Sequence, residues 1–285
     1  MMIAVLSDIH GNLPALQSIT SELEGLDLEA VIAAGDYVGG PKSNEVISIL
    51  RSFDSIMILG NMDLDLLRFA KGKAPEAWST LKQYGLIRWT FEHIHSENLE
   101  YLYGLPETLA GNLGDAPSIR IVHVSPRDPY ESIFPDRDRE VLETAVNQTV
   151  ADVLICGHIH VPWKTNLHGK LVMNPGAVSA PLNGIVGAQY ALLHLMDGDW
   201  SVEHRSIGYD LSQIRKDYEE SGLLEAGGAV SRAFLRSCET GKDYARAFLD
   251  FAYGLAKESG YDDIGYFPDD IWELAVESFP WDQPA

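Results

Sequence analysis

Short apolar runs of strand length punctuate this chain, and five of them end in a residue type that binds metal ions. The clearest is Val153-Leu154-Ile155-Cys156-Gly157-His158-Ile159-His160. Side chains at i and i+2 of an extended backbone point the same way, so both imidazoles are expected to reach one small volume at the strand's end. Gly157 is expected to let the chain turn where a Cβ would obstruct it. Taken alone, this motif describes a strand followed by two surface histidines equally well. Four further runs with the same ending shift the balance.

Met2-Ile3-Ala4-Val5-Leu6 delivers Asp8 and His10, again two residues apart. The run 30–34 ends in Gly35-Asp36, 55–59 in Gly60-Asn61-Met62-Asp63, and 118–122 in His123-Val124-Ser125-Pro126. Helices are expected between them. Asn12 is placed to cap one that carries Leu16, Ile19 and Leu23 at helical spacing, with Pro14 tolerated in its first turn. Val46, Ile47 and Leu50 mark the inner face of a second, and another is expected over 138–149. Repeated strand, ligand and helix predicts a layered, largely parallel α/β core.

A helical insertion is expected at about 64–105, packed through Trp78, Leu81, Tyr84, Trp89, Leu99 and Leu102. His93 and His95 lie there, but i and i+2 diverge on a helix, so neither is taken as a ligand. Two hairpins follow His160, one turning at His168-Gly169 and one at Asp197-Gly198. His168, His194 and His204 thus have no ligand-like neighbours. The core domain is assigned to 1–209 and a helical, acidic C-terminal extension to 210–285. In that extension Phe248, Phe251, Ala252 and Leu255 form an apolar stripe, expected to dock on the core or on a second copy. No chemistry is assigned to it.

Lys and Arg total 21 against 42 Asp and Glu, a formal net charge of −21. Such a field repels polyanions, so nonspecific nucleic-acid binding and anionic membrane binding are not expected. A small anionic substrate remains admissible, because bound divalent cations reverse the sign locally. No apolar run approaches the ~18 residues of a membrane span. The N-terminus enters a strand with no basic leader, and the two cysteines, Cys156 and Cys238, fit a reducing cytoplasm.

Ligands gather beyond the carboxyl ends of strands in open α/β sheets, so Asp8, His10, Asp36, Asn61, His123, His158 and His160 are expected to converge. Two carboxylates, four imidazoles and one amide exceed the roughly four ligands of a single zinc. They suit two divalent ions about 3.5–4 Å apart with solvent between them. The mixed nitrogen and oxygen set favours Mn²⁺, with Fe, Zn²⁺ or Ni²⁺ as alternatives, over Ca²⁺ and Mg²⁺.

Asp8-x-His10, Gly35-Asp36, Gly60-Asn61-x-Asp63, His123 and Gly157-His158-x-His160, in that order, resemble the calcineurin-like metallophosphoesterases. His123-x-Ser125-Pro126 and Asn174-Pro175-Gly176 resemble the bacterial and archaeal phosphodiesterase branch of that superfamily. The resemblance implies a four-layer α/β/β/α sandwich of two mixed sheets. It implies one metal held by Asp8, His10, Asp36 and His160 and another by Asp36, Asn61, His123 and His158, with Asp36 bridging. Asp36, Asn61 and His123 would then flank a metal-bridging hydroxide that attacks phosphorus.

Many relatives carry a histidine between Asn61 and Asp63 that protonates the leaving oxygen; here Met62 stands in its place. A thioether donates no proton, and general acid catalysis is typically worth about 10²–10⁴-fold. Branches with Cys or Met at this position are associated with phosphodiester hydrolysis. The expected function is therefore hydrolysis of a small soluble phosphodiester. The alternatives are a phosphomonoesterase or nucleoside-polyphosphate hydrolase, and a non-catalytic scaffold that docks through its C-terminal helices, which are also the expected route to a homo-oligomer. Arg127 is expected to form a surface salt bridge, and neither it nor Tyr130 is placed in the site.

Overall fold

The computed structural model describes residues 1–114, 116–137, 139–261 and 266–282. The chain opens with β1 (Met2–Leu6), α1 (Leu13–Leu23), β2 (Ala30–Ala33), α2 (Ser43–Ser52) and β3 (Ile56–Met57). The helical insertion then runs through α3 (Asn61–Ala70), α4 (Ala77–Thr80), a single 3₁₀ turn (Lys82–Tyr84), α5 (Gly85–His93) and α6 (Ser96–Tyr103). Next come β4 (Thr108–Gly111), β5 (Ile119–Val122), α7 (Arg139–Asn147), β6 (Val153–Ile155) and the hairpin β7 (Trp163–Leu167) and β8 (Lys170–Asn174). A second hairpin, β9 (Ala188–Met196) and β10 (Asp199–Ile207), leads to α8 (Leu211–Glu220), α9 (Leu223–Thr240), α10 (Tyr244–Glu258) and α11 (Asp269–Ser278). The helix expected over 138–149 is α7; Asp138 lies outside the described residues.

The strands form two mixed five-stranded sheets, ordered β10-β9-β1-β2-β3 and β4-β5-β6-β8-β7. The triplets β1-β2-β3 and β5-β6-β8 are parallel, and the antiparallel strands lie outside them. Alternation along each strand explains the layering. Ile3, Val5 and Ile32 face Ile119, Ile121, Val153 and Ile155 across the sheet–sheet interface. Ala4 and Leu6 point the other way, into a cluster with Leu16, Ile19, Val46 and Ile47 of α1 and α2. Leu154, Cys156 and Val172 do the same beneath Leu142 and Val146 of α7. The two sheets with their flanking helices make the expected four-layer sandwich. The exposed edge strand β4 was not expected, because its Thr-Leu-Ala-Gly carries no alternating apolar pattern.

Asn12 caps α1 as the sequence suggests, its side chain accepting from Ala15 N at 3.2 Å. His168 (φ 52°) and Gly169 (φ 77°) turn the β7–β8 hairpin with the paired left-handed residues of a type I′ turn.

Past β10 the helices build a cluster of their own, so the stripe expected to dock on the core packs within the extension instead. Phe248 and Ala252 of α10 are buried with Trp272 of α11, Phe279 and Trp281. Ile214, Tyr218 and Leu235 pack on Leu86 and Trp89 of α5, so the extension is anchored to the insertion. Helix α9 is broken at Gly228 (φ 57°, ψ −135°), a conformation open to glycine alone, and the stretch after the break leans toward the strand ends. No helix among the described residues is long and apolar enough to cross a membrane.

Candidate metal centre

All seven expected side chains meet where β1, β2, β3, β5 and β6 end. His123 Nε2 lies 3.3 Å from Asp36 Oδ2, 3.7 Å from Asp8 Oδ1 and 3.1 Å from Asn61 Oδ1. His10 Nε2 lies 3.6 Å from Asp36 Oδ2 and 3.3 Å from His160 Nε2, which is 3.2 Å from Asp8 Oδ1. His158 presents Nδ1 to Asn61 Oδ1 at 2.9 Å. Asp8, His10, Asp36, His123 and His160 are buried.

The route to this convergence differs from the one expected of extended strands. Strand β1 stops at Leu6 and β6 at Ile155, so neither Asp8 and His10 nor His158 and His160 stand on extended backbone. Asp8 (φ 56°), His10 (42°), Asp36 (59°), His158 (71°) and His160 (55°) are all left-handed. Such conformations strain a non-glycine residue by roughly 1–3 kcal/mol and cluster at functional sites. They are held by backbone bonds across loops. Ile9 N and His10 N both donate to Asp36 O at 2.9 Å, Asp8 N to Gly35 O at 3.1 Å, and Leu182 N to His160 O at 3.0 Å.

At Gly157 a Cβ would obstruct the chain, as expected, and the obstacle is the β1 loop. A Cβ there would lie 2.1 Å from Ser7 Oγ, so the residue is small to let β6 close on the β1 loop. At Gly60 a Cβ would lie 2.1 Å from Asp36 Oδ1, the carboxylate at the centre of the cluster.

Three imidazoles have a fixed tautomer. A carbonyl oxygen only accepts, so Nδ1–H must donate from His10 to Val38 O (3.1 Å), from His123 to Ala34 O (2.6 Å) and from His160 to Ala180 O (2.8 Å). Their Nε2 lone pairs are thereby aimed at two carboxylates and at one another. Asp8 Oδ1, fully buried, accepts no hydrogen bond. Only cations satisfy such a set, either protons or metal ions. Burial pulls the His123 imidazole down, but Asp36 and Asp8 outweigh it and raise its pKa to about 10. Burial likewise opposes the proton on His160, and Asp8 again overcomes it. Burial keeps His10 below its ordinary value, and burial together with His123 holds His158 down at about 4. Burial disfavours the charged forms of both carboxyls, yet the imidazoles (His160 first for Asp8, His123 first for Asp36) hold both below the usual range. The donors fit divalent cations. Asp8, His10 and His160 form one cluster with metal-ligand spacing and Asp8, Asp36 and His123 another.

Two residues outside the expected set shape this centre. Asp63, part of the Gly-Asn-x-Asp motif but given no role from sequence, is buried and accepts from Asp36 N (2.8 Å), Gly60 N (2.9 Å), Tyr37 N (3.0 Å) and Val38 N (3.3 Å). It ties the β2 loop to the start of α3, and its i+3 spacing from Gly60 was the available signal. Phe234 of α9 stands edge-on to His10, ring centroids 5.0 Å apart. No sequence signal marks it, since it sits in a helical stripe like any core residue. With Ala180, Leu182 and Met62 it helps enclose a cavity of about 180 Å³ over the ligands.

The remaining candidates are peripheral. His93 stacks on Trp89, His194 faces Glu203 at 3.2 Å, and His204 Nε2 donates to Asn174 O at 2.8 Å. Arg127 pairs with Glu131, and Tyr130 Oη donates to Asp65 Oδ1 at 2.7 Å.

Two stacked mixed sheets with a histidine and carboxylate cluster at their strand ends define the class of metal-dependent phosphoesterases. The chain belongs to the calcineurin-like phosphoesterase superfamily, whose domain model matches residues 1–198. It is 30% identical over 239 residues to an uncharacterized protein of Methanocaldococcus jannaschii, covering 77% of this chain and 91% of that one. A metallophosphoesterase from Sphaerobacter thermophilus superposes with a TM-score of 0.63 at 25% identity, covering 80% of this chain and 100% of that structure. A hypothetical protein from Pyrococcus horikoshii shares the fold with a TM-score of 0.69 at 22% identity, covering 85% and 99%.

Proposed function

We propose that this protein hydrolyses a small soluble phosphodiester at a pair of divalent ions, Mn²⁺ foremost, held by Asp8, His10, Asp36, Asn61, His123, His158 and His160. The observation that carries the reading is the outward-tied tautomer of three histidines, which aims their Nε2 lone pairs at Asp8 and Asp36. When bound, the ions supply hydroxide at neutral pH and offset the charge of the phosphoryl oxygens.

The chain's own residues do the rest. The placement of Asp36 Oδ2 between His10 and His123 supports it as a shared ligand, and Asp8, whose Oδ1 lies between His123 and His160, is common to both clusters. Asn61, on the first turn of α3, stands between His123 and His158. Met62 and Phe234 line the cavity and exclude water from one side of it. Met62 brings no proton to the leaving oxygen, which favours esters whose leaving group departs unprotonated. The acidic surface keeps polyanions away, and two buried unpaired cysteines suit a cytoplasmic setting.

The test is hydrolysis of bis(p-nitrophenyl) phosphate and p-nitrophenyl phosphate by the Mn²⁺-loaded protein. Faster turnover of the diester is expected. Faster turnover of the monoester would instead identify a phosphomonoesterase, and no turnover with any divalent metal would leave a scaffold.

A further inference from the structure

A second cavity, of about 140 Å³, lies beside the metal centre between the insertion and the extension. Its walls include Trp78, Tyr84, Ile87 and Val230, and it shares Met62 and Phe234 with the cavity over the ligands. We propose that this pocket receives an uncharged, flat substituent of the phosphoester, with Met62 and Phe234 as the shared wall that sets which esters fit. The inference rests on the phosphodiesterase reading and names a substrate class for it.

Apart from Asp65 and Gln83 at its edge the lining is apolar or aromatic, which suits an uncharged ring. Trp78 and Tyr84 stack with centroids 5.3 Å apart and planes 22° from parallel, a flat apolar face. The polar groups at the edge already have partners. Asp65 Oδ1 accepts from Tyr130 Oη and Gln83 Oε1 accepts from Phe267 N. A substituent entering here therefore gains contact area rather than hydrogen bonds.

Met62 and Phe234 are suited to the boundary. A methionine is flexible and polarizable enough to fit rings of different outline. Phe234 is braced by its edge-on contact with His10, so its position follows that of a metal ligand. A phosphoryl group held at the ligands thus has an apolar recess one side chain away. The groove next to His158 and Leu182 differs, being bordered by the charged Arg137, Arg246 and Asp243. The two substituents of a diester meet unlike surroundings.

The pocket is tested first without turnover. Phenylphosphonate and methylphosphonate are titrated calorimetrically into the Mn²⁺-loaded full-length protein. Phenylphosphonate is expected to bind at least about tenfold more tightly, the effect of burying one ring. Trp78→Ala empties the pocket and Val230→Trp fills it from the opposite wall; each should bring the affinity ratio toward one. Equal affinities in the parent protein, or a ratio untouched by both substitutions, overturn the assignment. Hydrolysis of p-nitrophenyl phenyl phosphate and p-nitrophenyl methyl phosphate then separates the two claims. Turnover of both without phenyl preference, with equal phosphonate affinities, removes the pocket and leaves the phosphodiesterase. Phenyl-selective phosphonate binding without turnover of any ester removes the phosphodiesterase and leaves the pocket.

Discussion

The strand-end loops and the C-terminal helices border the same cavity and are built on opposite principles. The loops hold five left-handed candidate ligands in place through backbone bonds that cross from one loop to another. The helices place Phe234 mainly by packing, its neighbours Ala233 and Leu235 lying in apolar clusters that extend to Trp281 and, through α5, to Trp89. Charge chemistry fixes residue type and direction closely, because a lone pair off by an ångström is lost. Shape chemistry tolerates many side chains of similar volume. The first region should therefore fail abruptly on substitution and the second gradually.

The largest effect is expected at Asp36, whose oxygen lies between His10 and His123. Asp36→Asn should lower diester turnover by about 10³-fold or more, with loss of bound Mn²⁺ by elemental analysis. Turnover within tenfold of the parent would show that the carboxylate is not central.

Next is Met62, where the two regions touch. Met62→His should raise monoester hydrolysis by about 10²-fold if a missing proton donor limits it, the low end of what such a donor contributes. An alkyl phosphate should gain more than an aryl one, because an aryl leaving group needs the proton less. An unchanged monoester rate would mean that the thioether serves shape, placing Met62 with Phe234 rather than with the ligands.

Asp63→Asn tests the loops without touching a ligand. Asparagine keeps one carbonyl oxygen for four N–H donors, and its NH₂ faces the others. Activity and Mn²⁺ affinity should fall about 10–100-fold, the usual effect of removing a ligand's support. Rescue of activity at raised Mn²⁺ would place the defect in affinity; failure of rescue would place it in the geometry of Asp36.

These residues differ in how far the sequence revealed them. The candidate cluster was legible because carboxylates, imidazoles and an amide repeated at five strand ends converge on one volume in a layered α/β fold. Loop conformation was not. The i, i+2 rule for strands led to the right convergence although Asp8, His10, His158 and His160 are left-handed, since φ is set by bonds to residues remote in sequence. The continuous apolar runs, by contrast, marked the buried strands, and the hairpin turns followed from His168-Gly169 and Asp197-Gly198. The extension was legible as helices but not as a wall. Phe234 differs from Phe248 only in what its ring meets, and periodicity does not record that.

The smallest effect contrasts the environments of two carboxylates, Asp36 and Asp65. Asp36 lies among imidazoles and is held ionised, whereas Asp65, on α3 beside the apolar pocket, is pushed up to about 6, by burial first, with Asp36 adding to it. The folded protein thus binds this proton more tightly than the unfolded chain, whose carboxyl titrates near 3.8. The sign follows from linkage: the stabilisation is complete below 3.8 and is lost as pH rises through about 6. Asp65→Asn keeps a neutral group there at every pH and an acceptor for Tyr130. At pH 8 the variant should be the more stable by about 1–2 kcal/mol, after allowance for partial exposure, in urea unfolding of the metal-free protein. At pH 5 the gap should narrow to a fraction of that. A gap that stays constant or widens toward pH 5 would mean that Asp65 is solvated enough to ionise freely, and that the wall beside Met62 is wetter than its side chains imply.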